Sequence, residues 1–151
     1  MNNIAIIPAR SGSKGLPDKN ILDLNGHPLM YYTIKAALKS GCFDTVMVST
    51  DSEKYADIAK SCGAEVPFLR SEELSSDTAG SWDVVREVLT QYKVMGNSFD
   101  YVALMQPKSP LRNAEDKKIP LKCYQGITFI LLYRLQRWNI QCNGDLLCQK
   151  V

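Results

Sequence analysis

The sequence predicts an α/β protein with a three-layer, mostly parallel, Rossmann-like sheet. Three observations predict it. Strand-like apolar runs alternate with helix-period stretches in the order β, α, β, α, β, α, β. The first run, Asn3 to Ala9, is continuous and apolar rather than alternating, as expected of a strand buried on both faces. Glycines stand where helical stretches stop, at Gly41 and Gly63. A chain of 151 residues is long enough for one domain with a real core.

A basic loop, PARSGSKGLPDKN, runs from Pro8 to Asn20 directly after the first strand. Ile21 to Leu24 is expected to be a short extension ending at the turn NGHP. Leu29 to Ser40 reads as a helix with Leu29, Tyr32, Ala36 and Ala37 on one face. Thr45 to Ser49, TVMVS, is the second strand. Asp51 is expected to cap the next helix by accepting its orphan N–H bonds. That helix runs to about Cys62, and Glu65 to Leu69 is expected to be a third strand. Ser81 to Tyr92 is a helix with Trp82, Val85, Val88, Leu89 and Tyr92 on one stripe. Tyr101 to Met105, YVALM, is the fourth strand. Crossovers between parallel strands are right-handed, and ligands of such sheets bind beyond the carboxyl ends of the strands. The loops after the first strand, after MVS, after PFL and after YVALM all project toward that edge.

The pattern breaks after SPLRNAED. Pro120 and Gly126 interrupt any long helix, and only Ile127 to Leu135 reads as a strand. Of 18 basic and 16 acidic residues, six and one lie in 117–151, so the front carries −3 and the tail +5. Three of the five cysteines fall in the same stretch. The chain therefore divides into residues 1–116, an α/β unit, and 117–151, an atypical tail. The abrupt change in charge, cysteine content and periodicity is what a shifted reading frame produces.

Composition narrows the function classes. Hydrophobic content of 45% and charged content of 23% are ordinary for a soluble globular protein. A net charge of +2 is too small to imply nucleic acid, and the aromatics lie on helix stripes rather than between basic residues. No nucleic-acid partner is expected. The cysteines at 42, 62, 123, 142 and 148 are odd in number, form no CxxC, and share the chain with one histidine. No zinc site is expected, and reduced thiols of a cytoplasmic protein fit best. The start MNNIAIIPAR lacks a basic n-region and a long apolar run, so it does not read as a signal peptide. Ile127 to Tyr133 is far shorter than the about 20 residues a bilayer span needs, and no membrane partner is expected.

Four stretches carry candidate chemistry. In the opening loop, Gly12 and Gly15 allow the backbone to approach an anion and to adopt unusual dihedrals. Arg10 can bind phosphate oxygens bidentately, and Lys14 and Lys19 add point charges. The alternative is a solvated basic surface loop, which its place at the end of the first strand disfavours. The loop is neither GxxxxGK[ST] nor GxGxxG, so a P-loop kinase and a dinucleotide dehydrogenase are both disfavoured. In MQPKSPLR, Gln106 can read a base edge or a sugar hydroxyl and Arg112 can contact an anion; a rigid turn is the alternative. In LRSEELSSDTAGSW, Arg70 ends a strand, and the helix start at Gly80 or Ser81 suits an anion or a base carbonyl. Asp77 there is a cap or turn residue. In STDS, Asp51 is a helix cap rather than a metal ligand. His27 in NGHP is a turn residue, and with no other histidine a hydrolytic triad has little support.

Taken together, IIPARSGSKGLPDKN, VSTDS, LRSEELSSDTAGS and LMQPKSPLR resemble the CMP-sialic acid synthetase (acylneuraminate cytidylyltransferase) family. The resemblance covers about Asn3 to Asp116, in order and with family-like spacing. Legionaminate-type and pseudaminate-type relatives share the opening pattern, and Kdo cytidylyltransferases share it more distantly. The resemblance implies the nucleotide-diphospho-sugar transferase type of sheet, incomplete here at the C-terminal end, and a homodimer built on a smaller second segment. It implies CTP, an acidic nine-carbon sugar and Mg²⁺, with the sugar's anomeric hydroxyl attacking the α-phosphate and pyrophosphate leaving. Carried over by motif, Arg10, Ser13, Lys14, Lys19 and Asn20 hold the CTP phosphates and ribose region. Arg10 and Lys14 are the main charge stabilisers. Arg70 and Ser81 contact the cytidine or its phosphates, and Gln106 and Ser109 approach the sugar acid. Two departures stand out. Lys108 replaces a small polar residue, and the family's metal-holding acidic pair, DID-like, does not occur in this chain.

Overall fold

The computed structural model describes residues 2–12, 15–75 and 80–107, together with the backbone of strand Ile130–Arg134. Ser13, Lys14, Asp77, Lys108, Ser109 and Arg112, all singled out above, lie outside the described residues.

Strand β1 is Asn3–Pro8 and occupies the middle of the sheet. Its alternation serves two cores. Ala5 and Ile7 enter one cluster, Ile4 and Ile6 the other, and all four are fully buried. A short 3-10 turn at Lys19–Ile21 leads to a two-residue hairpin, β2 (Asp23–Leu24) and β3 (His27–Pro28). Asn25 and Gly26 form its turn, both with positive φ (54° and 83°), the conformation that suits a two-residue hairpin. The expected extension at Ile21 to Leu24 is thus half helical turn and half hairpin. Strands this short carry no period from which a pairing can be read.

Helix α1, Leu29–Ser40, has the predicted bounds and ends on Gly41 in the left-handed conformation. Its buried residues are Met30, Thr33, Ile34, Ala36 and Ala37, so the face is turned away from the predicted Leu29 and Tyr32. The hairpin explains the shift. It covers the Tyr32 side, and the Tyr32 hydroxyl donates to the Leu24 carbonyl.

Strand β4, Thr45–Ser49, runs parallel to β1 with Ile4 opposite Thr45 and Pro8 opposite Ser49. Helix α2, Glu53–Ser61, follows it, with Ser52 rather than Asp51 at the N-cap position. The third predicted strand is reduced to one parallel bridge, Met47 to Glu65. Glu65 N–H donates to Val46 and Val48 N–H donates to Glu65. The next ladder donor would be residue 67, which is Pro67 and has no N–H, so the ladder stops there.

Helix α3, Ser81–Val94, buries Val84, Val85, Val88 and Tyr92, with Trp82 and Leu89 packed beside them. It begins at Gly80, whose N–H donates to the Asp83 carboxylate at 3.2 Å. Strand β5, Tyr101–Met105, lies parallel on the other side of β1, with Asn3 opposite Tyr101. Strand β6, Ile130–Arg134, lies antiparallel to β5 within the predicted stretch Ile127 to Leu135.

The described sheet order is β4-β1-β5-β6. Helices α1 and α2 cover one face and α3 the other, giving three layers. The chain moves outward from β1 to β4 and then crosses to β5 on the opposite side of β1. The carboxyl ends of β1 and β5 are therefore the point where strand order reverses, where open α/β sheets place ligands. Among the described residues no helix is long and apolar enough to cross a membrane.

Candidate functional site

The loop after β1 leaves the sheet at this reversal point. Ala9 N–H extends the strand by one more bond, to Ser49 O at 2.9 Å. The base of the loop then closes on itself: the Asn20 side-chain amide donates to Arg10 O at 3.0 Å, and Asn20 is buried. Ser11 is held twice by Asp51, its N–H at 2.8 Å and its hydroxyl at 3.0 Å, one to each carboxylate oxygen. The returning limb is held from α2. Tyr55 hydroxyl donates to Asp18 at 2.9 Å, and Lys54 lies 3.7 Å from the same carboxylate.

These contacts correct the reading of Asp51. It sits one residue before the N-cap, and its carboxylate reaches across to the β1 loop instead of the α2 amides. Among the described residues of this loop, Asp18 has a positive φ (53°). A Cβ at either glycine would meet nothing within 4 Å, so the space above them is open. The strained position is Asp18, and the Tyr55 and Lys54 contacts hold it there.

Arg70 stands at the end of the segment that follows the Met47–Glu65 bridge. Its backbone N–H donates to Thr50 O at 2.7 Å. Its guanidinium is buried and donates from Nε to Ser49 Oγ (3.0 Å) and from Nη2 to Ser49 O (2.7 Å). Burial pulls this guanidinium below its usual pKa, the Asp51 and Glu87 carboxylates oppose the shift, and the Arg10 charge adds to it. Those four groups therefore share one electrostatic neighbourhood at the carboxyl edge. Glu87 on α3 accepts from Ser71 N–H at 3.0 Å, fixing the chain just past Arg70, while its second oxygen is buried without a hydrogen-bond partner.

Ser81 is the first residue of α3, and the N–H of Gly80 before it is already taken by Asp83. Gln106 directly follows β5 and is half-buried beside buried Pro107. Lys19, half-buried, begins the 3-10 turn. The fold thus gathers Arg10, Lys19, Asn20 and Gln106 on loops and turns that follow β1 and β5, with Arg70, at the end of the segment after the Met47–Glu65 bridge, bonded to the β4 end. Sequence reasoning missed the holding set, Asp51 in this role, Ser49, Tyr55, Asp18 and Glu87. Their partners are 16 to 40 residues away in the chain, beyond any local period. His27, read as a turn residue, lies in the hairpin and stacks on Tyr31 with centroids 3.9 Å apart.

Among the described residues no cluster of three or more His, Cys, Asp or Glu is placed to hold a metal ion. Asp51, the carboxylate closest in sequence to the β4 end, has both oxygens engaged by Ser11.

A family model described as cytidylyltransferase matches residues 4–118. The chain is 49% identical over 115 residues to CMP-N,N'-diacetyllegionaminic acid synthase of Legionella pneumophila, covering 76% of this chain and 50% of that protein. It is 48% identical over 124 residues to the N-acylneuraminate cytidylyltransferase of Escherichia coli, covering 82% of this chain and 28% of that one. The fold is similar to the solved structure of CMP:2-keto-3-deoxy-manno-octonic acid synthetase complexed with CTP, with a TM-score of 0.64 at 24% identity, over 77% of this chain and 44% of that one. The chain spans half or less of the length of these relatives. With its match over 4–118, the chain belongs to the cytidylyltransferase family.

Proposed function

We propose that this chain holds CTP at the carboxyl edge between β1 and β5, as the nucleotide-binding part of an enzyme that transfers CMP to a nonulosonic acid. The observation that carries this reading is the pairing of a closed, doubly held basic loop with the buried Arg70 at the reversal point of the sheet. In the proposed reaction the anomeric hydroxyl of the sugar acid attacks the α-phosphorus and pyrophosphate departs. Negative charge on the phosphate oxygens is met by Arg10 and Lys14, with Ser13, Lys19 and Asn20 completing the loop. Arg70 and Ser81 face the cytidine or its phosphates, and Gln106 and Ser109 the sugar. Sugar acids of the sialic, legionaminic and pseudaminic kinds are the proposed acceptors, with Kdo a more distant one. A homodimer acting in the cytoplasm is part of the same reading.

Mg²⁺ belongs to this reaction in the family resemblance, and among the described residues no group of three or more His, Cys, Asp or Glu is placed to hold it. A second reading is that the chain binds CTP without turnover. The proposed division at residue 116 is supported by the end of the family match at 118. A shifted frame after that residue predicts that one of the other two frames of the encoding DNA continues in family-like sequence past that codon; if neither does, the shift is ruled out.

One assay separates the two readings. The chain is incubated with CTP, Mg²⁺ and either N-acetylneuraminate or N,N'-diacetyllegionaminate, and pyrophosphate is followed. Release that depends on the sugar supports the transferase reading. CTP-dependent thermal stabilisation without release supports the binding reading. Absence of both at millimolar CTP contradicts each. Lys14→Ala is expected to weaken CTP binding, and unchanged affinity would remove Lys14 from the role proposed for it.

A further inference from the structure

The loop that carries Arg10 contains two glycines, and flexible glycine-rich backbone loses much conformational freedom when a ligand orders it. A site that is already ordered avoids that cost at the moment of binding. The structure contains the means of ordering. The chain after β4 reaches the loop twice, from Asp51 in the turn to Ser11 on the outgoing limb and from Tyr55 on α2 to Asp18 on the returning limb. Asn20 closes the base between them. Of these holds, Asp51 lies nearest the phosphate-facing residues, because Ser11 immediately follows Arg10 and precedes Gly12. Its two oxygens take one donor each, so the carboxylate fixes both the position of Ser11 and the rotation of its peptide plane. A helix cap would turn those oxygens toward α2, and no side-chain cap bond is made there.

We propose that Asp51 is a positioning residue for phosphate binding: it holds Ser11 so that Arg10 and Gly12 on either side of it are set for the nucleotide before the nucleotide arrives. The proposal rests on the CTP-binding reading given above. It works through hydrogen-bond geometry, and the negative charge of Asp51 is incidental to it.

The substitutions separate these contributions. Asp51→Ala removes both acceptors. Asp51→Asn keeps an oxygen for Ser11 N–H, and its amide can donate to Ser11 Oγ, since a hydroxyl accepts as well as donates. Ser11→Ala removes only the hydroxyl contact and leaves Asp51 intact, which keeps the test open should Asp51→Ala fold poorly. Two quantities are measured on the full chain: CTP affinity by calorimetry, and hydrogen exchange of the Gly12 and Gly15 amides without ligand. Asp51→Ala is expected to weaken CTP binding about tenfold, Asp51→Asn by less than about threefold, with Ser11→Ala between them. Exchange at Gly12 and Gly15 is expected to accelerate in Asp51→Ala and to stay near wild type in Asp51→Asn. Wild-type exchange and affinity in Asp51→Ala would overturn the proposal. So would Asp51→Asn behaving like Asp51→Ala, which would assign the effect to charge. If the wild-type chain binds no CTP, the functional reading fails on its own, and the exchange rates still decide whether Asp51 orders the loop.

Discussion

Arg70 keeps 8% of its surface exposed and gives two hydrogen bonds to Ser49, one to the hydroxyl and one to the carbonyl. Truncation to alanine leaves Ser49 short of donors in a buried setting. Arg70→Ala is therefore expected to cost about 1–3 kcal/mol in urea denaturation. Arg70→Lys keeps the charge without the planar fork, so it is expected to recover only part of that loss. Tyr55 gives a prediction with a defined pH sign. Burial, the hydrogen bond to Asp18 and the Asp18 and Asp51 charges raise its pKa above the ordinary tyrosine value of about 10. The folded chain then keeps the phenolic proton where the unfolded chain loses it. Its contribution to stability is full below about pH 10 and falls as pH rises beyond that. Tyr55→Phe is expected to flatten the alkaline decline of the urea midpoint above that pH; an unchanged slope would contradict the assignment.

Elements were legible where a stop signal and a clean period agree. Helix α1 and strand β4 have the predicted bounds because Gly41 ends one and TVMVS is a compact apolar run. Gly63 shows why such a stop is fixed. Its φ is +97°, and an added Cβ would come 3.1 Å from Leu38 Cδ1. Gly63→Ala is expected to destabilise the fold by about 1–2 kcal/mol in the same denaturation measurement. Buried α1 residues behave differently from those on its outer face. Ile34→Ala, at a fully buried position, is expected to cost about 2–5 kcal/mol. Lys39→Ala, on the exposed face, is expected to stay within about 0.5 kcal/mol. What the sequence hid has physical reasons. The third strand satisfies apolar content but loses its ladder at Pro67. The α1 face is set by a hairpin too short to leave a period. Asp51 has the residue type and place of a cap, and only the fold reveals that Ser11, 40 residues earlier, is its partner.

At the scale of the whole molecule, the order β4-β1-β5-β6 makes the candidate site a consequence of topology. The loops that follow β1, β4 and β5 meet at one edge with the end of the segment after the Met47–Glu65 bridge, and the motifs that looked separate in the sequence start there. The holding contacts, by contrast, arise only once β4 lies beside β1. The proposed CTP site is therefore a single place, the carboxyl edge between β1 and β5, against the β1 loop. Titrating isotope-labelled chain with CTP and following backbone amide shifts tests it directly. The largest changes are expected at Arg10, Ser11, Gly12, Gly15, Arg70, Ser81 and Gln106. Shifts centred instead on the groove between the hairpin, α1 and α2, at His27, Lys35 and Ile58, or no shifts at millimolar CTP, would contradict the account.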